Sequence, residues 1–342
     1  MEKRVLINRW LESCGDILPI YDEASVSLAR QRVREAGATF NASETLVESA
    51  ALIASELTHN HLAHARQGYF CVKAIERHGV KGLEVVAADM GPGVQKSILS
   101  GAPGAGKTLG AGLEGVVRIA DEVDVETREE EGVRIAARKF EAKTTPAWEV
   151  AIAGKPFPGE VISGDDAACL QTDSGFLAAV CDGLGHGPEA RESSNRAIDV
   201  VSKNSHLDLD DLTRSVNSGL AEKRGCAMGV LRYRREKRAL QCVLAGDVRA
   251  QLYHLRDTHF FTSTPFILGE PQAARRKVRI EEITVKPGSV FVMFTDGFET
   301  KTSLKEQLDV LRQPAIVIAQ YLLHTHSRGN DDALAFVARV RA

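Results

Sequence analysis

Two textures of apolar and polar positions divide the chain. The first, through about residue 140, alternates helical and strand-like periods. "RVLINRWL" (4–11) has the apolar density of a strand. "DEASVSLARQRVREAG" then places Val26, Ala29, Val33 and Ala36 at helical spacing, with Gly37 positioned to end the helix. "NASETLVESAALIASELTHNHLAHA" predicts a long second helix, begun at Ser43 with Glu44 in the first turn, where a carboxylate suits the helix dipole. "YFCVKAIER" and "GLEVVAAD" predict two strands joined through His78 and Gly79. After a glycine-rich run to Gly112, "LEGVVRIADE" predicts a helix, and "DEVDVETREEEGVRIAARKF" a hairpin turning near Glu130 and Gly132.

The second texture follows the polar, proline-containing "EAKTTPAW" and consists of short apolar runs: "WEVAIAGKP", "AACLQTD", "GFLAAVCD", "CAMGVLRYR", "RALQCVLAGD", "AQLYHLR", "SVFVMFTD" and "DALAFVARV". Helical segments intervene near Pro188–Lys203, Leu209–Leu220 and Leu311–Leu323. Many strands with few helices predict a layered α+β sandwich. The expected organisation is a first domain over 1–140, a linker over 141–148 and a second domain over 149–342.

Composition narrows the class. Hydrophobic residues at 44% and charged residues at 26% describe a globular protein with ample core. A formal net charge of -3 supplies no general field for nucleic acid or anionic membrane, and neither is an expected partner. No run reaches transmembrane length and "MEKRVLINRWLESCGD" lacks a signal-peptide apolar core, so a cytoplasmic location is expected. Cys14, Cys71, Cys169, Cys181, Cys226 and Cys242 form no CxxC pair and read as buried thiols of a reducing compartment. The basic string "RYRREKR" (Arg232 to Arg238) reads as a solvated hairpin tip.

"SGAPGAGKTLGAGLEG" contains Gly101-x-x-x-x-Gly106-Lys107-Thr108, the phosphate-loop pattern of P-loop NTPases. A working loop of that kind follows a buried strand directly. Here "LEVVAAD" ends at Asp89, and "MGPGVQKSILS" separates it from Gly101. Gly110, Gly112 and Gly115 would also open the following helix, each costing about 1 kcal/mol against alanine. A P-loop NTPase acting through Lys107 therefore stands as a weaker alternative.

A second arrangement uses more residues. Glu56 and Asn60 lie four apart on the long helix, with His64 a further turn along, so all three share a face. Such a carboxylate and amide can orient a nucleophile and hold Mg²⁺ over a nucleotide triphosphate. Asp89 at a strand end can accept from an adenine amino group, and Gly91 and Gly93 let the backbone close on a ligand. His59 and His61, two apart, point away from each other on a helix; only His61 and His64 could share a metal.

"ELTHNHLAHA", "DMGPGV" and "TLGAGL", in that order, resemble the N, G1 and G2 boxes of the GHKL ATPase superfamily, and the run from about Val5 to Lys139 is similar to its anti-sigma-factor serine kinases of the RsbT/RsbW type. The resemblance implies a GHKL (Bergerat) α/β sandwich binding ATP with Mg²⁺. It makes Asn60 the Mg²⁺ ligand, Glu56 the general base and Asp89 the adenine contact. Gly91, Gly93, Gly110 and Gly112 become nucleotide-binding backbone, with Lys107 and Thr108 reaching phosphate from a lid. Sensor histidine kinases share these boxes but need an upstream phosphoacceptor histidine, and no histidine precedes His59.

In the second half, apolar runs end at Asp182 and Asp296, each followed by glycine, and "GEVISGDD" and "GNDDALAFV" flank them with further acids. Carboxylates at adjacent strand ends suit two hard divalent cations, which about 4 Å apart activate a bridging water and stabilise phosphoryl charge. Glycine after Asp182 leaves a backbone carbonyl open to join them.

In this order the motifs resemble metal-dependent serine/threonine phosphatases of the protein phosphatase 2C class, with the SpoIIE/RsbX branch similar over about Trp148 to Ala342. The resemblance implies an α/β/β/α sandwich holding two Mn²⁺ or Mg²⁺ through Asp165, Asp182, the carbonyl of Gly183, Asp296 and Asp331. Leu334 stands where the family often has threonine, and Asp166 and Asp332 read as solvated or supporting neighbours. His186, in the "GHG" loop, reads equally as a turn residue or an active-site contact. Together the halves imply a kinase–phosphatase fusion acting on serine or threonine of a protein partner, typically a STAS-domain antagonist in a partner-switching circuit. The competing reading is a phosphatase whose first domain only binds ATP or sequesters a regulator.

Overall fold

The computed structural model describes residues 2–341 apart from 13, 66, 78, 94–110, 143–146, 222, 256, 274 and 275. Lys107, Thr108 and Gly110 lie outside the described residues, as does part of the expected linker. The chain folds as two compact units, Met1–Glu149 and Val150–Ala342.

The first unit departs from the sequence expectation at its start. "RVLINRWL" lies in a helix, α1 (Glu2–Leu11), not a strand. Leu6, Ile7, Trp10 and Leu11 fall at helical spacing, and all four are buried with Cys71, Val86, Ala88 and Ala136. The sheet runs β1 (Leu18–Ile20), β2 (Gly68–Arg77), β3 (Val80–Asp89), β5 (Gly132–Phe140), β4 (Glu122–Arg128), antiparallel throughout. The helices α2 (Glu23–Thr39) and α3 (Glu44–His64) pack on each other and on this sheet, and α4 (Ala111–Ile119) packs on α3.

Asp22 opens α2 with a reciprocal capping box to Ser25, and Ser43 caps α3 by accepting from the Leu46 amide. Gly37 does not end α2, which continues to Thr39. The glycine is instead a packing contact, since a Cβ there would sit 2.3 Å from Val47 Cγ2.

On the α1 side of the sheet, Glu84, Arg138 and Glu122 stand in register across β3, β5 and β4. Arg138 donates to Glu84 at 2.5 Å and to Asp124 at 2.6 Å. These charges are buried, and each survives burial because its partner is buried with it.

The cysteine reading is corrected in one place. Cys14 and Cys71 form a disulfide with Cα atoms 6.0 Å apart. They are 57 positions apart in sequence, and only the packing of α1 over the sheet brings them together. Cys169, Cys181, Cys226 and Cys242 form no disulfide among the described residues.

The second unit stacks two antiparallel sheets. One has the order β13 (Ile280–Thr284), β10 (Ala239–Ala245), β9 (Cys226–Arg234), β8 (Gly175–Gly183), β7 (Asp165–Thr172). The other contains β6 (Trp148–Lys155), β15 (Ala333–Val340), β14 (Val290–Phe294), β11 (Arg249–His254), β12 (Asp257–Phe260).

Phe176 of β8 meets Phe336 of β15 between the sheets, with ring centroids 6.3 Å apart. Outside the first sheet lie α5 (Gly187–Lys203) and α6 (Leu209–Gly219), whose Ala197, Ile198, Leu212 and Val216 share a core with Ala179, Met228 and Val243. A short α7 (Leu308–Leu311) precedes α8 (Ala315–His326), which packs on β15. This is the expected α/β/β/α sandwich.

β1, β12 and β13 carry no sequence signal, being three to five residues long and, in β12 and β13, largely exposed. Among the described residues no helix is long and apolar enough to cross a membrane.

Candidate functional sites

Strand pairing assembles the acidic site of the second unit. Asp165 opens β7 directly opposite Asp182 near the end of β8. Asp296 lies just beyond β14, and Asp331 and Asp332 just before the neighbouring antiparallel β15, so all three reach the same end of their sheet. At Gly297 the two loops touch backbone to backbone: a Cβ would stand 1.8 Å from the Asp332 carbonyl oxygen. Gly183 is likewise forced by contact with α5, its Cβ position being 2.1 Å from the Ala190 carbonyl oxygen. The glycines after both aspartates therefore have a packing reason beyond access to a carbonyl.

Thr295 and Arg191, which sequence reasoning did not single out, hold this arrangement together with Asp332. The Thr295 hydroxyl, wholly buried, donates to Asp165 Oδ2 at 2.7 Å and accepts from the Leu334 amide at 3.0 Å, tying the two sheets together. Arg191 of α5 donates to the carbonyls of Ser163 and Asp165, each at 2.9 Å. Of the two readings offered for Asp332, the supporting one holds and the solvated one does not: it is 3% exposed and accepts from the amides of Phe157 at 2.7 Å and Gly164 at 2.9 Å, pinning the loop before β7. Asp166 is also fully buried, with a carboxylate oxygen accepting from the Ala167 amide. His186 precedes α5, stacks on Phe157 at 4.5 Å and meets Glu160 at 3.2 Å.

The electrostatics are those of crowded like charges. Burial first, then Asp296, Asp331 and Asp332, push the Asp182 carboxyl up to about 8, and Asp182 and Asp296 share a hydrogen bond. Burial, Asp182 and Asp332 hold the Asp165 carboxyl well above its ordinary value, against the Thr295 bond. Burial and neighbouring aspartates also raise Asp331 and Asp332. Among the described residues no three acid, histidine or cysteine side chains are grouped tightly enough to hold a metal as they stand; Asp182 and Asp296 meet as a pair. Their chemistry nonetheless fits a hard divalent cation: oxygen donors only, desolvated, and repelling one another until a positive charge joins them.

In the first unit, α3 presents Glu56 and Asn60, both half-buried. Glu56 faces Gly115 of α4, where a Cβ would lie 3.7 Å from the Glu56 Cδ. Asp89 ends β3, is 9% exposed, and accepts from the Gly91 amide at 2.8 Å. Burial raises its carboxyl. Gly93 has φ +79° and passes against Arg128, its Cβ position 2.7 Å from that carbonyl oxygen, so position 93 admits no side chain. Gly112 lies in the first turn of α4.

The nearest histidine to Asp89 is one the sequence offered only as a metal ligand. His61 Nε2 is 3.8 Å from Asp89 Oδ2, its Nδ1 has no hydrogen-bond partner among the described residues, and burial lowers its ring to about 4. Gly68, register partner of Asp89, makes room for it: a Cβ would lie 2.0 Å from Nδ1.

Two face-to-face antiparallel sheets, helices outside and acids converging at the strand ends define a protein phosphatase 2C-like fold. The first unit is of the GHKL ATPase type. The family of Stage II sporulation protein E (SpoIIE) matches residues 172–341 and the histidine kinase-like ATPase domain matches residues 21–139. The chain belongs to the SpoIIE phosphatase family and carries a histidine kinase-like ATPase domain ahead of it.

It is 30% identical to the phosphoserine phosphatase RsbX of Bacillus subtilis over 141 residues, 41% of this chain and 69% of RsbX. It is 31% identical to the serine/threonine-protein kinase RsbT of the same organism over 132 residues, 38% of this chain and 96% of RsbT. The solved structure of RsbX in complex with magnesium aligns with TM-score 0.50 and 23% identity over 58% of this chain and 97% of that one, a likeness of fold.

Proposed function

We propose that the second unit hydrolyses phosphoserine or phosphothreonine of a protein partner with two Mg²⁺ or Mn²⁺. Asp165, Asp182, the Gly183 carbonyl, Asp296 and Asp331 would hold them. The observation that carries this is Asp165 set directly opposite Asp182 at one end of the sandwich, both carboxyls raised by burial and then by neighbouring aspartates. Bound divalent cations would supply water activation and neutralise phosphoryl charge. The chain's own part is to present ionised carboxylates at fixed positions: Thr295 and Arg191 orient Asp165, and Asp332 fixes the loop beneath it. The relation to a phosphoserine phosphatase and the magnesium held by RsbX support the reading.

For the first unit we propose ATP–Mg²⁺ binding with Asn60 as the metal ligand, Asp89 at the adenine, and Gly91, Gly93, Gly110, Gly112, Lys107 and Thr108 around the nucleotide. Glu56 acts as general base in phosphorylating a serine or threonine of a partner, with positioning and Mg²⁺ supplying most of the catalysis. The relation to RsbT supports a kinase, and a STAS-domain protein in a cytoplasmic partner-switching circuit is the proposed partner.

Mn²⁺-dependent hydrolysis of p-nitrophenyl phosphate, lost in Asp182→Ala, tests the phosphatase; equal hydrolysis by the variant sinks it. Labelled ATP with STAS proteins tests the kinase. Transfer should vanish in Glu56→Gln while ATP binding persists, and binding should vanish in Asn60→Ala. Binding lost in Lys107→Ala but retained in Asn60→Ala would instead support the phosphate-loop reading.

A further inference from the structure

The β7–β8 hairpin has two ends of different chemistry. Asp165 and Asp182 occupy one; the other borders a cavity of about 350 Å³ between the hairpin tips and the residues after α5. Its lining combines apolar Leu170 and Leu177 with His206, Arg232, Arg234 and Lys237, and Glu236 is the one acid among its described lining residues.

Arg232 is 9% exposed, and its guanidinium donates to the Ser205 carbonyl at 2.8 Å. Among the described residues no carboxylate forms an ion pair with Arg232, Arg234 or Lys237. Burial and Arg234 both disfavour the charge on Arg232, and Asp208 offsets only part of this. A desolvated cation without a paired anion is costly, and an anionic ligand is what would relieve it. The string "RYRREKR" does form a hairpin tip between β9 and β10, but its Arg232, Arg234 and Lys237 line a cavity in a chain of net charge -3.

We propose that this cavity docks an acidic segment of the protein substrate, at a distance from the reacting phosphate. The substrate role rests on the phosphatase reading; the binding of acidic peptide does not. Mixed apolar and cationic lining suits acidic side chains interleaved with an apolar one. It does not suit single-stranded nucleic acid, because Phe176 and Tyr233 are buried and offer no face for base stacking. From Gly175 to Asp182 the strand advances about 23 Å, so about seven extended residues separate the acidic segment from the phosphorylated one.

The test uses the full chain, Mn²⁺ and phosphoserine peptides that carry a Glu-Leu-Glu-Glu tail after a two- or a seven-residue spacer, or no tail. Arg234 and Lys237 are exposed and far from the acidic site, so Arg234→Glu/Lys237→Glu should leave p-nitrophenyl phosphate hydrolysis unchanged. The long-spacer peptide should show a KM about tenfold lower than the tailless one at unchanged kcat. The double variant should abolish that difference, as expected for two reversed surface charges.

Equal KM for all three peptides, or a difference that survives in the variant, overturns the proposal. Anisotropy of the labelled tail alone decides docking whether or not any hydrolysis occurs. Binding lost in the variant and weakened by 0.5 M salt supports it; no binding, or stronger binding of oligouridylate or inorganic phosphate, refutes it.

Discussion

Replacing Thr295 by valine probes the link between the two sheets of the phosphatase unit at a single hydroxyl. Valine has nearly the same shape, so no cavity opens. The Leu334 amide then loses its side-chain acceptor in a fully buried position, costing about 1–3 kcal/mol, and the bond to Asp165 is worth about 1 kcal/mol more. The expected total is about 3 kcal/mol, a fall in the unit's melting temperature of about 6–12 °C at 2–4 °C per kcal/mol.

The same bond opposes the rise in Asp165 proton affinity. Without it the proton is held more tightly, and a cation needing the ionised carboxylate must compete with it. Mn²⁺ affinity should fall about ten- to hundredfold, more at pH 6 than at pH 8, with Thr295→Ser restoring both properties. Calorimetric melting of the metal-free protein and Mn²⁺ titration at the two pH values measure these effects. A valine variant that melts within about 1 °C of the parent and binds Mn²⁺ equally at both pH values would refute the reasoning.

Three further outcomes follow from buried groups. Arg138 and Lys73 hold the Glu84 carboxyl at about 2 against burial, below its ordinary 4.5. A depressed carboxyl stabilises the fold above pH 4.5 and loses that contribution as pH falls towards 2, about 3 kcal/mol in all; Glu84→Gln should flatten this acid limb of the urea midpoint.

The raised Asp182 carboxyl has the opposite sign. The folded, metal-free protein loses stability as pH rises from about 4 to 8, and Asp182→Asn should remove that decline while abolishing Mn²⁺ binding. Gly68→Ala drives a methyl onto His61 and displaces the strand facing Asp89. It should cost about 1–3 kcal/mol and weaken ATP binding, and a variant with parental stability and affinity would contradict the packing.

Sequence alone determined what depends on local pattern. Alternating apolar runs marked the eight strands from Trp148 onward that carry the phosphatase sandwich, and the helical spacing after Ser43 marked α3. The acidic motifs were legible because strand ends and the glycines after them stay contiguous in the chain. Tertiary structure decided whatever joins distant positions.

The chain start reads as a strand by apolar content, yet becomes α1 because a helical face of Leu6, Ile7, Trp10 and Leu11 finds a sheet to cover. Cys14 meets Cys71 only through that packing. Thr295 looks like any threonine until the end of β14 meets the start of β7 from the other sheet, and Asp332 reads as solvated or supporting until two amides of another loop reach it. His61 finds Asp89 only because Gly68 leaves space. Periodicity encodes which face of an element is buried; the partner that buries it, and the polar group that arrives with it, depend on contacts across many tens of residues that no local pattern contains.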